Sequence, residues 1–286
     1  MSERPMGLIA GEGELPLLEA RGLIAQGRRV VCVGLNGGGG GSDGTIAKEL
    51  AEAYRSFPLL RLGAWARWLR KRGVEEAIMV GRVKKATMYD PGLILKGWPD
   101  WRVARLFLWK LRKDRRSQAL LRGLADELML CGVKLIDTTA YIPDHLADAG
   151  VMTKTPPSAG MQSDIDIAWP VLMQLNALDV GQAVAVRGKD IVAVEAIEGT
   201  DGLIERAGVL SRGKGWTLCK GGGPGKDLRF DVPTVGVQTI EKLAAAGAVC
   251  LALEAGRVIL VDKPAVLKAA DDAGIAVVGV TGDDDA

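Results

Sequence analysis

Short apolar runs that close on glycine, each followed by an amphipathic stretch, constrain this chain more than any other feature. Met6–Ala10 runs into Gly11-Glu12-Gly13, and Leu15–Gln26 follows with Leu17, Leu18, Gly22 and Ala25 at near-helical spacing. Val30–Val33 reads as a second strand, and Trp65–Arg72 as a helix stopped by Gly73. Ile78–Val80 is a third strand, ending at Gly81, while Ser117–Leu130 is a helix closing at Gly132 before a strand at Val133–Ile136. This strand–helix alternation specifies a parallel sheet with helices on its faces.

The pattern changes near Tyr141–Gln162, where Pro143, Gly150, Pro156, Pro157 and Gly160 crowd a stretch of little periodicity. Beyond it, Asp164–Leu178 reads as a helix broken or kinked at Pro170. Gln182–Val186 and Ile191–Val194 form a hairpin across Gly188-Lys189-Asp190. Thr217–Lys220, a helix near Gln238–Ala246, strands at Val249–Leu253 and Val258–Val261, a helix at Pro264–Ala273 and a strand at Ile275–Val280 complete the chain. The expected architecture is a Rossmann-like α/β domain with a parallel sheet over 1–140, a linker over 141–162, and a C-terminal catalytic α/β domain of mixed sheet over 163–286. Gly37–Gly41 reads as a flexible surface loop, because it lacks the GxxxxGK[ST] ending of a nucleotide phosphate loop. Asp283–Asp285 reads as a frayed acidic tail.

Composition narrows the chemistry. A hydrophobic share of 48% against 25% charged residues is enough for a packed core and excludes global disorder. A formal net charge of +2 gives no support for a nucleic-acid binder. Cys32, Cys131, Cys219 and Cys250 are widely separated and sit in or beside apolar stretches, as buried reduced thiols do. With one histidine, His145, in the loop-like Tyr-Ile-Pro-Asp-His, neither a zinc site nor a histidine-centred triad is expected. Acid–base and metal work falls to carboxylates and lysines. There is no secretory signal ahead of the first strand and no run near the roughly 20 apolar residues that cross a bilayer, so a cytoplasmic location is expected.

Several segments can carry chemistry. Gly11, Glu12 and Gly13 sit between a strand and a helix, where they serve either a tight turn or a phosphate approaching the helix N-terminus. Gly81-Arg82-Val83-Lys84-Lys85 ends another strand of the same half, and is either an anion site at the carboxyl end of the sheet or a solvated basic loop. In Ala193–Gly202, Glu195, Glu198 and Asp201 with Thr200 lie within seven positions, beside apolar strand residues and next to Gly199. Carboxylates so placed can converge on Mg²⁺, which takes few protein oxygens. The stretch from Lys220 to Pro233 is the most informative. Glycine and proline at 221–225 separate Lys220 from Lys226, and Asp227 and Asp231 flank Arg229. As a strand, 227, 229 and 231 would share one face, combining acids with a cation as phosphoryl chemistry requires.

These blocks also carry a resemblance. Ala193–Asp201 (AVEAIEGTD) and Asp227–Gly236 (DLRFDVPTVG) resemble the signature stretches of the LpxI-type UDP-2,3-diacylglucosamine pyrophosphatases of lipid A biosynthesis. Gly7–Pro16 (GLIAGEGELP), Gly81-Arg82-Val83 and Ala177–Gln182 (ALDVGQ) resemble the same family, in order and across both halves. The resemblance implies hydrolysis of the pyrophosphate of UDP-2,3-diacylglucosamine to UMP and 2,3-diacylglucosamine 1-phosphate (lipid X). It implies dependence on Mg²⁺ (or Mn²⁺), two domains with substrate between them, a homodimer, and no calcineurin-type metal centre. The family's essential aspartate falls on Asp227. Family sequences often carry glutamine just before that aspartate, where this chain has Lys226, and its Gly221–Gly225 is unusually rich in glycine.

Combining residues and resemblance, the expected catalytic groups are Asp227, Arg229 and Lys220. The expected metal ligands are Asp227, Glu195 and Glu198. Gly11, Glu12, Gly13, Gly81, Arg82, Lys84, Gly199, Thr200 and Asp201 are expected to bind substrate. Leu93, Ile94, Leu95, Trp98, Trp101, Leu106, Phe107, Leu108 and Trp109, interleaved with Lys96, Arg102, Arg105 and Lys110, suit peripheral contact with the cytoplasmic face of the inner membrane, or else a packed helix. The rival reading is a nucleotide-sugar binding or sensing protein without turnover. An oxidoreductase is weaker still, since the GxGxxG fingerprint is missing.

Overall fold

The computed structural model describes residues 4–35, 46–82, 100–106, 117–223, 226–230 and 232–282. The chain divides into two compact units, Met1–Ile142 with Leu228–Asp231, and Pro143–Asp227 with Val232–Ala286. The expected Gly37–Gly41 loop and the Asp283–Asp285 tail lie outside the described residues.

The first unit holds a five-stranded parallel sheet in the order β3-β2-β1-β4-β5. Its strands are β1 (Met6–Ala10), β2 (Val30–Leu35), β3 (Ala53–Phe57), β4 (Glu76–Val80) and β5 (Lys134–Leu135). Every residue of β1 and β2 is buried, as a parallel strand covered on both faces must be. Alternation divides them. Met6, Leu8 and Ala10 pack with Ala20 and Leu23 of helix α1 (Leu15–Ala25). Ile9, Val31 and Val33 pack on the other face with Trp65 and Leu69 of α2 (Leu62–Arg70). A short helix α3 (Trp101–Arg105) follows, and α4 (Ser117–Leu130) adds Leu128 to that second face. Each of the Met, Leu, Ile and Val side chains contributes about 1.5–3 kcal/mol on full burial. β3 was not expected. It is a sheet edge in which only Phe57 is buried, so it shows no apolar run.

The second unit is built on a six-stranded mixed sheet, ordered β6-β13-β11-β9-β7-β8. It comprises β6 (Gly150–Val151), β7 (Ala183–Arg187), β8 (Asp190–Val194), β9 (Trp216–Lys220), β11 (Ala248–Glu254) and β13 (Ala276–Val280). A separate two-stranded pair joins β10 (Thr234–Val235) to β12 (Ile259–Leu260). β9, β11 and β13 are parallel, whereas β7 runs antiparallel to both β8 and β9. The carboxyl ends of β8, β9, β11 and β13 therefore share one edge with the start of β7. Helix α5 (Ala159–Ala177) covers one face through Ile165, Ala168 and Leu172. Helices α6 (Gly199–Leu210), α7 (Val237–Ala245) and α8 (Lys263–Asp272) cover the other.

Two expectations change. α5 starts at Ala159, capped by Ser158, and runs through Pro170 without a break. Proline removes one backbone donor, but the buried apolar face on both sides of it keeps the helix continuous. Residues 143–162 are counted with the second unit rather than standing apart, since Gly150–Val151 pairs with β13 and Met152 N donates to Val277 O. The hairpin forms as expected, and buried Asp164 of α5 accepts from the amides of Gly188 and Lys189 at its turn.

Candidate active site

In the second unit, polar groups gather where the carboxyl ends of β8 and β9 meet the start of β7. β8 delivers Glu195, β9 ends on Lys220, and α6 opens with Gly199, Thr200 and Asp201. Glu195 and Lys220 are only 6% and 4% exposed, so neither charge is left to solvent. Lys220 Nζ donates to Thr200 Oγ1 at 2.9 Å, and Thr200 Oγ1 donates to Glu195 Oε2 at 3.2 Å. Burial raises the Glu195 carboxyl above its ordinary pKa. Lys220, the Thr200 hydrogen bond, Lys226 and the Gln182 backbone pull it back down. Lys226 is anchored as well, its Nζ donating to Gln182 Oε1 at 3.0 Å.

The glycine hinge after β9 is shaped by a residue that sequence patterning did not single out. Glu254 closes β11 and is 4% exposed. Its Oε2 accepts from Gly222 N at 2.7 Å and Gly223 N at 2.8 Å, while Arg257 Nε stands 3.4 Å from Oε1. A Cβ at Gly221 would fall 2.8 Å from Glu254 Oε2, and one at Gly223 would fall 2.6 Å from Asn176 Cβ. Glycine is required at both positions for the hinge to lie this close to β11 and α5. A carboxylate ending an otherwise apolar strand was the available signal for Glu254.

Beyond the hinge, Asp227 is half-buried and is the last residue of the second unit before Leu228–Asp231, which belong with the first. Leu228 and Arg229 form a turn, so the anticipated strand face shared by 227, 229 and 231 does not exist. The cause is Phe230, buried in the first unit's core with Phe57 and Trp65. The Leu228 carbonyl is held there by Thr138 N at 3.0 Å and Thr138 Oγ1 at 2.8 Å. Arg229 stacks over the Phe230 ring at 5.4 Å. Asp231 lies outside the described residues.

Of the expected metal ligands Asp227, Glu195 and Glu198, and of Asp201 beside them, no three assemble among the described residues. Glu198 is paired with Arg206 at 2.6 Å, and Asp201 with Lys242. Glu195 faces two ammonium groups and a hydroxyl rather than other acids. Among the described residues, no three His, Cys, Asp or Glu side chains come together as a metal cage.

In the first unit, the two glycine loops meet at the carboxyl ends of β1 and β4. Glu12 and Arg82 exchange backbone hydrogen bonds at 2.9 and 2.8 Å, and Gly11 N donates to Val80 O. A Cβ on Gly11 would sit 2.7 Å from Arg82 O. Gly11 and Gly81 thus serve the mutual approach of these loops, and the amides of Gly11, Glu12 and Arg82 are committed to backbone partners. Gly13 opens to space at φ +103. Lys84 lies outside the described residues, as do Leu93–Trp98 and Phe107–Lys110 of the expected membrane stretch. Of that stretch, Trp101 is 73% exposed and Leu106 is buried. Arg105 Nη2 donates to both oxygens of the buried Glu127, at 2.6 and 2.8 Å, with Arg102 3.5 Å from the same carboxylate. Both arginines are thus paired with a buried acid while their side chains stay partly exposed. No helix among the described residues is long and apolar enough to cross a membrane.

Comparison with known proteins covers both units. Residues 5–145 match the family model of the LpxI N-terminal domain, and residues 148–278 match that of the LpxI C-terminal domain. The chain is 31% identical, over 286 aligned residues, to the UDP-2,3-diacylglucosamine pyrophosphatase LpxI of Caulobacter vibrioides, covering 97% of this chain and 98% of that protein.

Proposed function

Since the chain belongs to the LpxI family, and is on that ground a hydrolase of the lipid A pathway, we propose that it cleaves the pyrophosphate of UDP-2,3-diacylglucosamine to UMP and 2,3-diacylglucosamine 1-phosphate. The observation that carries this reading is the buried Lys220–Thr200–Glu195 chain, placed at the carboxyl edge of the sheet beside the hinge that leads to Asp227. Ligands of open α/β sheets bind at such edges.

Each group has work suited to a diphosphate. Lys220 and Lys226 are anchored ammonium groups that neutralise charge on non-bridging oxygens as the bond to the leaving phosphate breaks. Glu195 orients Lys220 through the Thr200 hydroxyl and lowers the cost of keeping that cation buried. Asp227 is the acid we assign to the attacking water. Mg²⁺ (or Mn²⁺) arriving on the substrate's phosphates, with Asp227 as its protein carboxylate, would supply further charge neutralisation and a polarised water. We place the reaction at the cytoplasmic face of the inner membrane, where a diacylated substrate resides, and expect a homodimer. The exposed Trp101 supports peripheral contact, although Arg102 and Arg105 beside it are already paired with Glu127.

Incubation of the purified chain with UDP-2,3-diacylglucosamine and Mg²⁺, with and without EDTA, tests the proposal. Metal-dependent release of UMP is expected. Binding without release would identify a nucleotide-sugar sensor instead.

A further inference from the structure

We infer that Glu254 is a positioning residue for the reaction, fixing the hinge that sets Lys220 and Asp227 in place. This rests on the function proposed above.

β9 and β11 are paired with Lys220 opposite Leu253, so Glu254 lies beside the first residue past the end of β9. From there the chain must leave the sheet, cross residues of glycine and proline, and present Lys226 and Asp227. Left alone, so glycine-rich a segment samples many backbone conformations. Glu254 removes that freedom at two successive residues by taking both amides on one carboxylate oxygen. Charge-assisted bonds of this kind are stronger than neutral ones. Arg257 closes the arrangement from the other side, lying near Glu254 Oε1 and donating to the Gly223 carbonyl at 3.4 Å. Asn176 of α5 packs against Gly223. Gly222 and Gly223 are therefore gripped between β11 and α5, with Lys220 before them and the anchored Lys226 after. Burying an ionised glutamate to hold two glycine amides makes sense where the placement of Lys226 and Asp227 matters. A preorganised site loses on the order of 10²-fold in rate for about 1 Å of misplacement.

The test combines turnover with amide exchange on the full chain. Glu254→Gln keeps a carbonyl acceptor for the two amides and is expected to retain most of its activity. Glu254→Ala and Glu254→Asp remove or withdraw the acceptor. They are expected to lose on the order of 10²-fold in kcat with KM little changed. Hydrogen exchange should speed up across 221–227 and stay unchanged in β9 and β11. Should the alanine variant fail to fold, the aspartate and glutamine pair carries the comparison. Wild-type kcat in the aspartate variant, or a loss matched by the unfolded fraction, overturns the inference. So does unaltered hinge exchange. A wild-type chain that releases no UMP would overturn the proposed function separately, and the exchange result would still decide whether Glu254 holds the hinge.

Discussion

Lys220 and Glu195 face each other across a single hydroxyl, Thr200 Oγ1, which accepts from the ammonium at 2.9 Å and donates to the carboxylate at 3.2 Å. A buried cation and a buried anion thereby compensate one another. Replacing Lys220 by methionine is expected to lower kcat by on the order of 10²–10³. It also removes the leading influence that holds the Glu195 pKa down against burial. The residual activity should therefore show its acidic limb at higher pH than wild type, if ionised Glu195 is required. A pH–rate profile of Lys220→Met with an unmoved limb would count against Glu195 as part of the machinery.

Glu19 is a second buried carboxyl, on α1 of the first unit, fully shielded and with no hydrogen-bond partner on either oxygen among the described residues. Burial, and then the carboxylate of Asp137, push its pKa up from 4.5 to about 8. The folded state thus holds this proton more tightly than the unfolded chain. Its stabilising contribution is complete below pH 4.5 and is lost as pH rises through about 8. The unfolding free energy from urea titrations should fall across that window with a slope of up to about 1.4 kcal/mol per pH unit from this group. Glu19→Gln should flatten the slope and be the more stable form at alkaline pH. Parallel curves for the two proteins would refute the assignment.

Phe230 places its ring in the first unit's core three residues beyond Asp227. Phe230→Ala is expected to destabilise that unit by about 3–5 kcal/mol. Chemical unfolding followed by tryptophan fluorescence should report it, because Trp65 and Trp68 line the same cluster. A change below about 1 kcal/mol would mean that the site collapses around the gap, or that the ring is not held there.

The four thiols are all free. Burial raises those of Cys32 and Cys250 to about 12, and that of Cys219 further still. Cys131 is raised as well but is the one that is only half-buried. Under native conditions Cys131 should be alkylated first, with the other three reacting only on unfolding. Mass spectrometry of a timed iodoacetamide reaction decides this.

Much of the fold was legible in the sequence, and the reason is physical. Buried parallel strands such as Met6–Ala10 and Val30–Leu35 must be apolar throughout, so they announce themselves. Ala53–Phe57 did not, because an edge strand buries little. Lys220, Thr200 and Glu195 were each singled out, but their linkage through one hydroxyl depends on β8, β9 and α6 converging, which spacing alone does not encode. Glu198 and Asp201 looked equivalent to Glu195 in sequence. They face Arg206 and Lys242 instead, partners 8 and 41 residues away. Glu254 was missed because its glycine partners lie more than 30 residues back. The turn at Leu228–Arg229 was hidden because Phe230 answers to a core built by the other half of the chain.

Turnover by Asp227→Asn measures the central claim most directly. The substitution keeps the shape of the side chain and removes its charge. UMP release from UDP-2,3-diacylglucosamine in Mg²⁺ should fall by about 10³-fold or more, with the circular dichroism spectrum and substrate binding preserved. Release within tenfold of wild type by that variant would contradict the account.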